Sequence, residues 1–115
     1  MKTMIVNHSE GLTAMQLAAM ASSKATSLND VVGVEITVSA WAEFVREDGE
    51  NKTDFLVIKD TDGNYYSTIS KAFMQAFSAF VDLMSDAGDA NDFKFSAGKS
   101  KAKSGREFLT FTVIE

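Results

Sequence analysis

Cysteine and proline are absent from this sequence, and histidine occurs once, as His8. Without cysteine the chain cannot carry a disulfide framework, a thiol nucleophile or a thiolate-ligated zinc ion. A single histidine also excludes a catalytic histidine pair and a histidine metal cluster. We therefore expect no metal, no other cofactor and no enzymatic activity.

Long hydrophobic runs are missing as well. No stretch reaches the roughly 18–20 consecutive apolar residues of a membrane-spanning helix. The N-terminal residues MKTMIVNHSEG contain too short an apolar patch for a secretory signal. We expect a cytoplasmic protein that makes no contact with membranes.

The composition is that of an ordinary globular chain. Its 115 residues match the commonest domain size, and 45% of them are hydrophobic and 23% charged. We expect one domain over residues 1–115, in which residues 1–27 are an N-terminal extension with a helix.

Charge is distributed unevenly along the chain. The net charge is −5, from 11 basic and 16 acidic residues, which by itself argues against nucleic-acid binding. Five of the basic residues, however, lie between Lys94 and Arg106, with no acid among them. The glycines and serines of the stretch SAGKSKAKSGR indicate a loop. It is either a solvated surface segment or a finger that contacts phosphates.

A first helix is predicted near the N-terminus. Thr13 and Gln16 form a capping-box pattern, and an apolar face of Leu17, Met20 and Ala21 follows. That face packs either on a neighbouring copy, which would make the helix a self-association surface, or on one end of the chain's own barrel.

A second helix is predicted after Ser70, which is a suitable N-cap. Its apolar residues recur at helical spacing and form one buried stripe, which consists of Phe73, Ala76, Phe77, Phe80, Val81 and Met84.

Five strands are predicted in the remaining sequence. Residues 34–45 alternate between apolar and polar side chains over an unusual length, so we expect this strand to bend. Residues 53–59 and 64–69 form a hairpin, and strands over 92–96 and 106–115 flank the basic loop. Three strands, a helix and two further strands are the element order of the OB-fold, a five-stranded Greek-key barrel.

We therefore expect a mainly β, OB-fold-like barrel, with one helix between its third and fourth strands and another at the N-terminus. A plain α+β sandwich would give the same order of elements.

Three runs of the sequence resemble a known family: VVGVEITVSAWAEFVREDGE, DFLVIKDTDGNYYSTISKAF and KSGREFLTFTVIE. They are similar to the small single-stranded DNA-binding proteins of bacteriophages, of the OB-fold type related to those of protein-primed phages. The resemblance covers Leu28 to Glu115. It implies cooperative, sequence-tolerant coating of single-stranded DNA during phage replication or recombination, in the cytoplasm of the host cell.

Binding of single strands without sequence preference requires cations along a groove and aromatic faces on which bases stack. OB-folds bind on the face of their second and third strands and through the loops that join strands 1–2 and 4–5. The DNA-binding residues predicted on this basis are Trp41, Phe55, Lys59, Tyr65, Lys99, Lys101, Lys103 and Arg106.

Strand alternation decides which aromatic residues are chosen. Trp41 lies on the face of its strand opposite the apolar residues, and Phe55 lies on the face opposite Leu56 and Ile58. We therefore expect both aromatic side chains to be exposed. A three-residue turn would pair Lys59 with Tyr65 and direct Tyr66 inward, whereas a slip of one residue would exchange the two tyrosines. Core packing is the alternative for each aromatic residue.

A second class of function fits the same sequence. An acidic phage module that binds a host or replication protein would use the N-terminal helix and the negative surface. Such a module would have no affinity for oligonucleotides.

Overall fold

The computed structural model describes residues 2–88 and 92–115 and forms one sheet with a helix on each side. The elements, in chain order, are β1 (Lys2–His8), α1 (Ala14–Ala21), β2 (Thr26–Ser27), β3 (Glu35–Asp48), β4 (Asn51–Asp60), β5 (Tyr65–Thr68), α2 (Lys71–Asp86), β6 (Phe93–Lys101) and β7 (Glu107–Ile114). A 3₁₀ turn spans Leu28–Asp30. The predicted N-cap Ser70 is confirmed, because its hydroxyl accepts a hydrogen bond from the backbone N–H of Phe73 at 3.3 Å.

The long strand β3 organises the sheet. One edge of β3 pairs with β4, and the other edge pairs first with β6 and then with β1. The sheet order is β2-β5-β4-β3-β6-β7, with β1 beside β3. Because β3 serves three partners along its 14 residues, it curls the sheet into a half-barrel.

The prediction of a mainly β fold with two helices is confirmed in the described residues, but the predicted count of five strands in an OB-fold-like barrel is wrong. Within residues 2–88 and 92–115 the sheet has seven strands, because 2–8 and 26–27 also pair. No ladder joins β5 to β7 in that part of the chain, so the barrel stays open. The aromatic rings of α2 lie against β7 instead, with Phe73 and Phe77 each 5.6 Å from the ring of Phe111.

The inner face of the sheet is the side on which α2 packs, and it carries the larger core. Leu56 and Ile58 of β4 and Phe95 of β6 point to this side and are at most 2% exposed. The buried residues of this core are Leu28, Ile36, Val38, Leu56, Ile58, Phe73, Met74, Phe77, Phe95, Ala97 and Leu109.

The outer face is the opposite side, on which α1 packs, and it has a core of its own. The capping box that starts α1 is confirmed: Thr13 Oγ1 accepts from the Gln16 N–H at 3.2 Å, and Gln16 Oε1 accepts from the Thr13 N–H at 2.8 Å. The buried residues of this core are Leu17, Met20, Ala42, Phe44, Phe55 and Val57. The apolar side of α1 therefore packs on the face of its own sheet rather than on one end of a barrel.

A β-bulge at Ser39 exchanges the two faces along β3. The register with β4 shifts between Val38 and Ala40. Before the shift, Ile36 and Val38 belong to the inner core; after it, the even-numbered Ala42 and Phe44 belong to the outer core. The extra residue reverses the alternation that the sequence displays.

The turn between β4 and β5 is built around the carboxylate of Asp60, which is 8% exposed. This carboxylate accepts hydrogen bonds from the backbone N–H groups of Asp62 and Asn64 (2.9 and 2.8 Å), from Asn64 Nδ2 (3.1 Å) and from the Tyr66 hydroxyl (3.3 Å). Burial by itself raises the pKa of Asp60, but these hydrogen bonds outweigh it and hold the pKa below its usual value. Gly63 completes the turn at φ +89°.

We expect Asp60→Asn to lower the free energy of unfolding by about 1–3 kcal/mol, because an amide cannot accept all four hydrogen bonds. Urea denaturation measures this loss, and Asp62→Asn in the same turn is the matched control. The pKa of Asp60 is lower in the folded than in the unfolded chain. Its stabilisation is therefore fully present above the ordinary aspartate pKa of about 3.9 and is lost as pH falls through the folded value. Equal losses for both variants at pH 7 would contradict this role of Asp60.

Candidate nucleic-acid interface

Lys59 and Tyr65 face each other across β4 and β5 on the outer face. The register places them directly opposite, as the sequence predicts, and Tyr66 points to the inner face, where its hydroxyl meets Asp60. Both side chains are half-buried and line a cleft of about 260 Å³ between α1 and the sheet, together with Gln16 and Met20. A cation and an aromatic ring thus share one small opening.

Phe55 lies on the same outer face but is closed to solvent. It is 7% exposed and stacks on Phe44 with ring centroids 5.2 Å apart. The guanidinium carbon of Arg46 lies 4.6 Å from the centre of its ring. The expectation that Phe55 is exposed is therefore wrong, because α1 covers this part of the face.

Trp41 lies on the other side of the sheet. Since the bulge at Ser39 reverses the alternation, Trp41 points to the inner side, is half-buried, and meets Phe77 edge-on at 5.6 Å. The expectation of an exposed Trp41 is therefore wrong. The accessible part of the Trp41 side chain faces a cleft of about 510 Å³. The lining of this cleft includes the carboxylates Glu10, Asp82 and Asp92. Three acidic groups make this cleft unfavourable for phosphates.

The basic segment is mostly strand rather than loop. The ladder between β6 and β7 runs without a register shift from Lys94 opposite Ile114 to Lys101 opposite Glu107. Only residues 102–106 form the turn. Small residues allow close strand pairing here: a Cβ at Gly98 would lie 2.8 Å from Thr110 Oγ1. The prediction of a loop over the whole segment is wrong, because glycine and serine serve the strand pairing.

The cations of this hairpin have different orientations. Lys94 is on the outer face and forms an ion pair with Glu35 at 3.6 Å. Lys99 and Lys101 alternate with it and are on the inner side, beyond the end of the core. Lys103 and Arg106 belong to the turn, and all four of the predicted hairpin cations, Lys99, Lys101, Lys103 and Arg106, are exposed.

Phe108 is an exposed aromatic residue of the same hairpin that lies outside the predicted set of DNA-binding residues. It is 39% exposed, lies opposite Ser100 on the outer face, and follows Arg106 by two positions. Its strand carries Thr110 and Thr112 on the same face, and this polar alternation is a signal that could have identified Phe108 as an outward ring.

The hairpin between β3 and β4 has the opposite charge. It carries five acids, namely Glu43, Glu47, Asp48, Glu50 and Asp54. Its cations are engaged locally: Lys52 Nζ is 3.5 Å from Glu47 Oε1, and Arg46 lies over Phe55. Burial, followed by the nearby Asp54, raises the pKa of Glu43. The β3–β4 hairpin is therefore net negative, whereas the β6–β7 hairpin is net positive.

The structure thus unites some of the predicted residues and separates others. Lys59 and Tyr65 form one group on the outer face. On the β6–β7 hairpin, Lys103 and Arg106 belong to the turn, whereas Lys99 and Lys101 lie on the inner side and Phe108 on the outer face. Phe55 is covered, and Trp41 is on the inner side of the sheet.

A comparison with protein families decides the class of the molecule. The model of a family described as phage single-stranded DNA-binding protein, of the phi29 type, matches residues 5–114. This chain belongs to that family. The resemblance noted in the sequence is thereby confirmed, and the curled half-barrel is compatible with an OB-fold-like binding domain. No curated protein and no solved structure was found to match the chain.

Residues 2–88 and 92–115 contain no helix that is long and apolar enough to cross a bilayer.

We expect Phe55→Ala to lower the free energy of unfolding by about 3–5 kcal/mol, because it leaves a cavity in the outer core. Phe108→Ala removes the same side chain from an exposed position and should change stability by less than about 1 kcal/mol. Urea denaturation of both variants measures the contrast. A large loss for Phe108→Ala with none for Phe55→Ala would show that the two burial states are assigned wrongly.

Proposed function

We propose that this protein binds single-stranded DNA without sequence preference and without catalysis, during phage DNA replication or recombination in the host cytoplasm. The observation that carries the proposal is the β6–β7 hairpin, on which four exposed cations accompany an exposed aromatic ring in a chain of this family.

The cations of the hairpin supply the phosphate contacts in this proposal. Among the described residues, neither ion pair of the chain involves Lys99, Lys101, Lys103 or Arg106. Their charges are thus available to a polyanion. The acidic remainder of the chain repels phosphates elsewhere and steers the strand toward this hairpin.

Phe108 and Tyr65 supply the surfaces for bases. Stacking on an aromatic side chain contributes about 1–3 kcal/mol per base and tolerates any base, because every base has a π-face. Duplex DNA keeps these faces stacked within the helix, so such contacts favour single strands. Lys59, opposite Tyr65, places a cation beside the second ring.

The alternative, an acidic module that binds a protein, uses the N-terminal helix and the negative surface. Leu17 and Met20 of that helix are 6% and 2% exposed, so its apolar side is occupied within the chain. Self-association through α1 has to use the outward side of the helix, where Met15 is 84% exposed.

Replacing Lys99, Lys101 and Lys103 together by Ala should weaken binding to oligonucleotides of every sequence. It should also reduce the steepness of the plot of log binding constant against log salt concentration. The slope should change by up to about 0.7 for each phosphate that the variant no longer neutralises. Fluorescence anisotropy of labelled oligo(dT) at several salt concentrations measures both quantities. The control replaces Lys2, Lys24 and Lys71, which are exposed elsewhere, and removes the same net charge. An equal change of slope in both triple variants would remove the hairpin from the site.

Phe108→Ala should weaken binding by about 1–3 kcal/mol with little change in salt slope, since it removes a stacking surface and no charge. Phe108→Trp should restore affinity, and Phe108→Leu, which retains apolar volume without a ring, should not. The same titrations provide the measurement. Full affinity of the Leu variant would show that the aromatic face is not used.

A further inference from the structure

The outer face of β4 and β5 is covered by a helix that has few attachments to it. Of the eight residues of α1, only Leu17 and Met20 are buried. The helix has no acidic residue in its first turn and no basic residue in its last turn. Helices this short are marginal in water without tertiary contacts. The position of α1 therefore depends mainly on Leu17 and Met20, with Leu12 and Ala21 partly buried against the same core, and on its capping box.

The surface beneath α1 has the chemistry that a single strand requires. Lys59 and Tyr65 line the remaining cleft, and Phe55 lies under the helix on the same face. Glu10 lines that cleft too, so a carboxylate stands close to where a phosphate would be placed beside Lys59. By contrast α1 itself, AMQLAAMA, contains no charged residue, and its two buried side chains are apolar.

We propose that α1 is a displaceable cover over a cryptic base-binding site, and that single-stranded DNA takes its place on β4 and β5. Base faces replace the contacts of Leu17 and Met20 with the outer core, and a phosphate reaches Lys59. The inference rests on the proposed function, since the ligand is the same DNA that the β6–β7 hairpin holds. The apparent affinity is then reduced by the fraction of molecules in which α1 is closed.

Substitutions at exposed positions of α1 test this without touching the sheet. Ala14, Ala18 and Ala19 are all exposed. In the double variant Ala18→Gly with Ala19→Gly, each substitution lowers the equilibrium constant for helix formation roughly four- to fivefold. The affinity for oligo(dT) should therefore rise by up to about 20-fold.

A charge-matched pair of variants separates helix stability from net charge. Ala14→Glu with Ala18→Lys complements the helix dipole, whereas Ala14→Lys with Ala18→Glu opposes it, and the two have the same composition. The first should bind oligo(dT) more weakly than the second, by roughly fivefold. Anisotropy titrations at one salt concentration give the ratio.

Hydrogen exchange of the unmodified protein gives a readout that needs no variant. The backbone N–H groups of Leu17 and Ser22 are bonded to Thr13 and Ala18 within the helix. With saturating oligo(dT) these amides should exchange faster, while amides of β4 exchange more slowly.

Three results are decisive. Tighter binding by the helix-weakening variants, with faster exchange in α1 on DNA binding, would support the cover. Equal affinities for all α1 variants, or slower exchange in α1, would overturn it while the proposed function stands, because the unmodified protein still binds. Absence of binding by the unmodified protein and by every variant would overturn both.

Discussion

The single extra residue at Ser39 is the constraint on which the architecture depends. It allows one strand to contribute Ile36 and Val38 to the core under α2, and Ala42 and Phe44 to the core under α1. Ser9 bonds to β3 between the β6 and β1 ladders: its N–H donates to the Trp41 carbonyl and its hydroxyl accepts from the Trp41 N–H, both at 3.0 Å. A sheet with two buried faces therefore needs two helices, and the arrangement of the candidate DNA surface follows from that need.

Features with a local cause could be predicted from the sequence. The capping residues Thr13 and Ser70 require only neighbours within one helical turn, and the Asp60 turn fixes the pairing of Lys59 with Tyr65. The family could also be recognised from the sequence, and its model matches residues 5–114.

Features that depend on distant contacts could not. Strand alternation predicts the face of a side chain only when the strand has no bulge. Because β3 has a bulge at Ser39, Trp41 lies on the face opposite to the predicted one. Phe55 is buried because α1 packs on its face of the sheet. The run Phe55 to Ile58 does indicate burial on both faces. Four consecutive apolar residues are typical of a strand that is covered on both faces. Likewise, composition indicated a loop where Gly98 serves a close strand pair.

The open side of the half-barrel has a consequence for how the protein behaves at high concentration. In the described part of the chain, β7 forms its ladder with β6 alone, so one row of its backbone groups faces outward. Natural edge strands are usually protected by lysine, proline or a bulge. Residues 108–114, FLTFTVI, contain no lysine and no proline, and the β6–β7 ladder shows no register shift that would indicate a bulge. An edge without such protection favours off-pathway strand addition and aggregation, so a lysine placed there is a route to a more soluble protein.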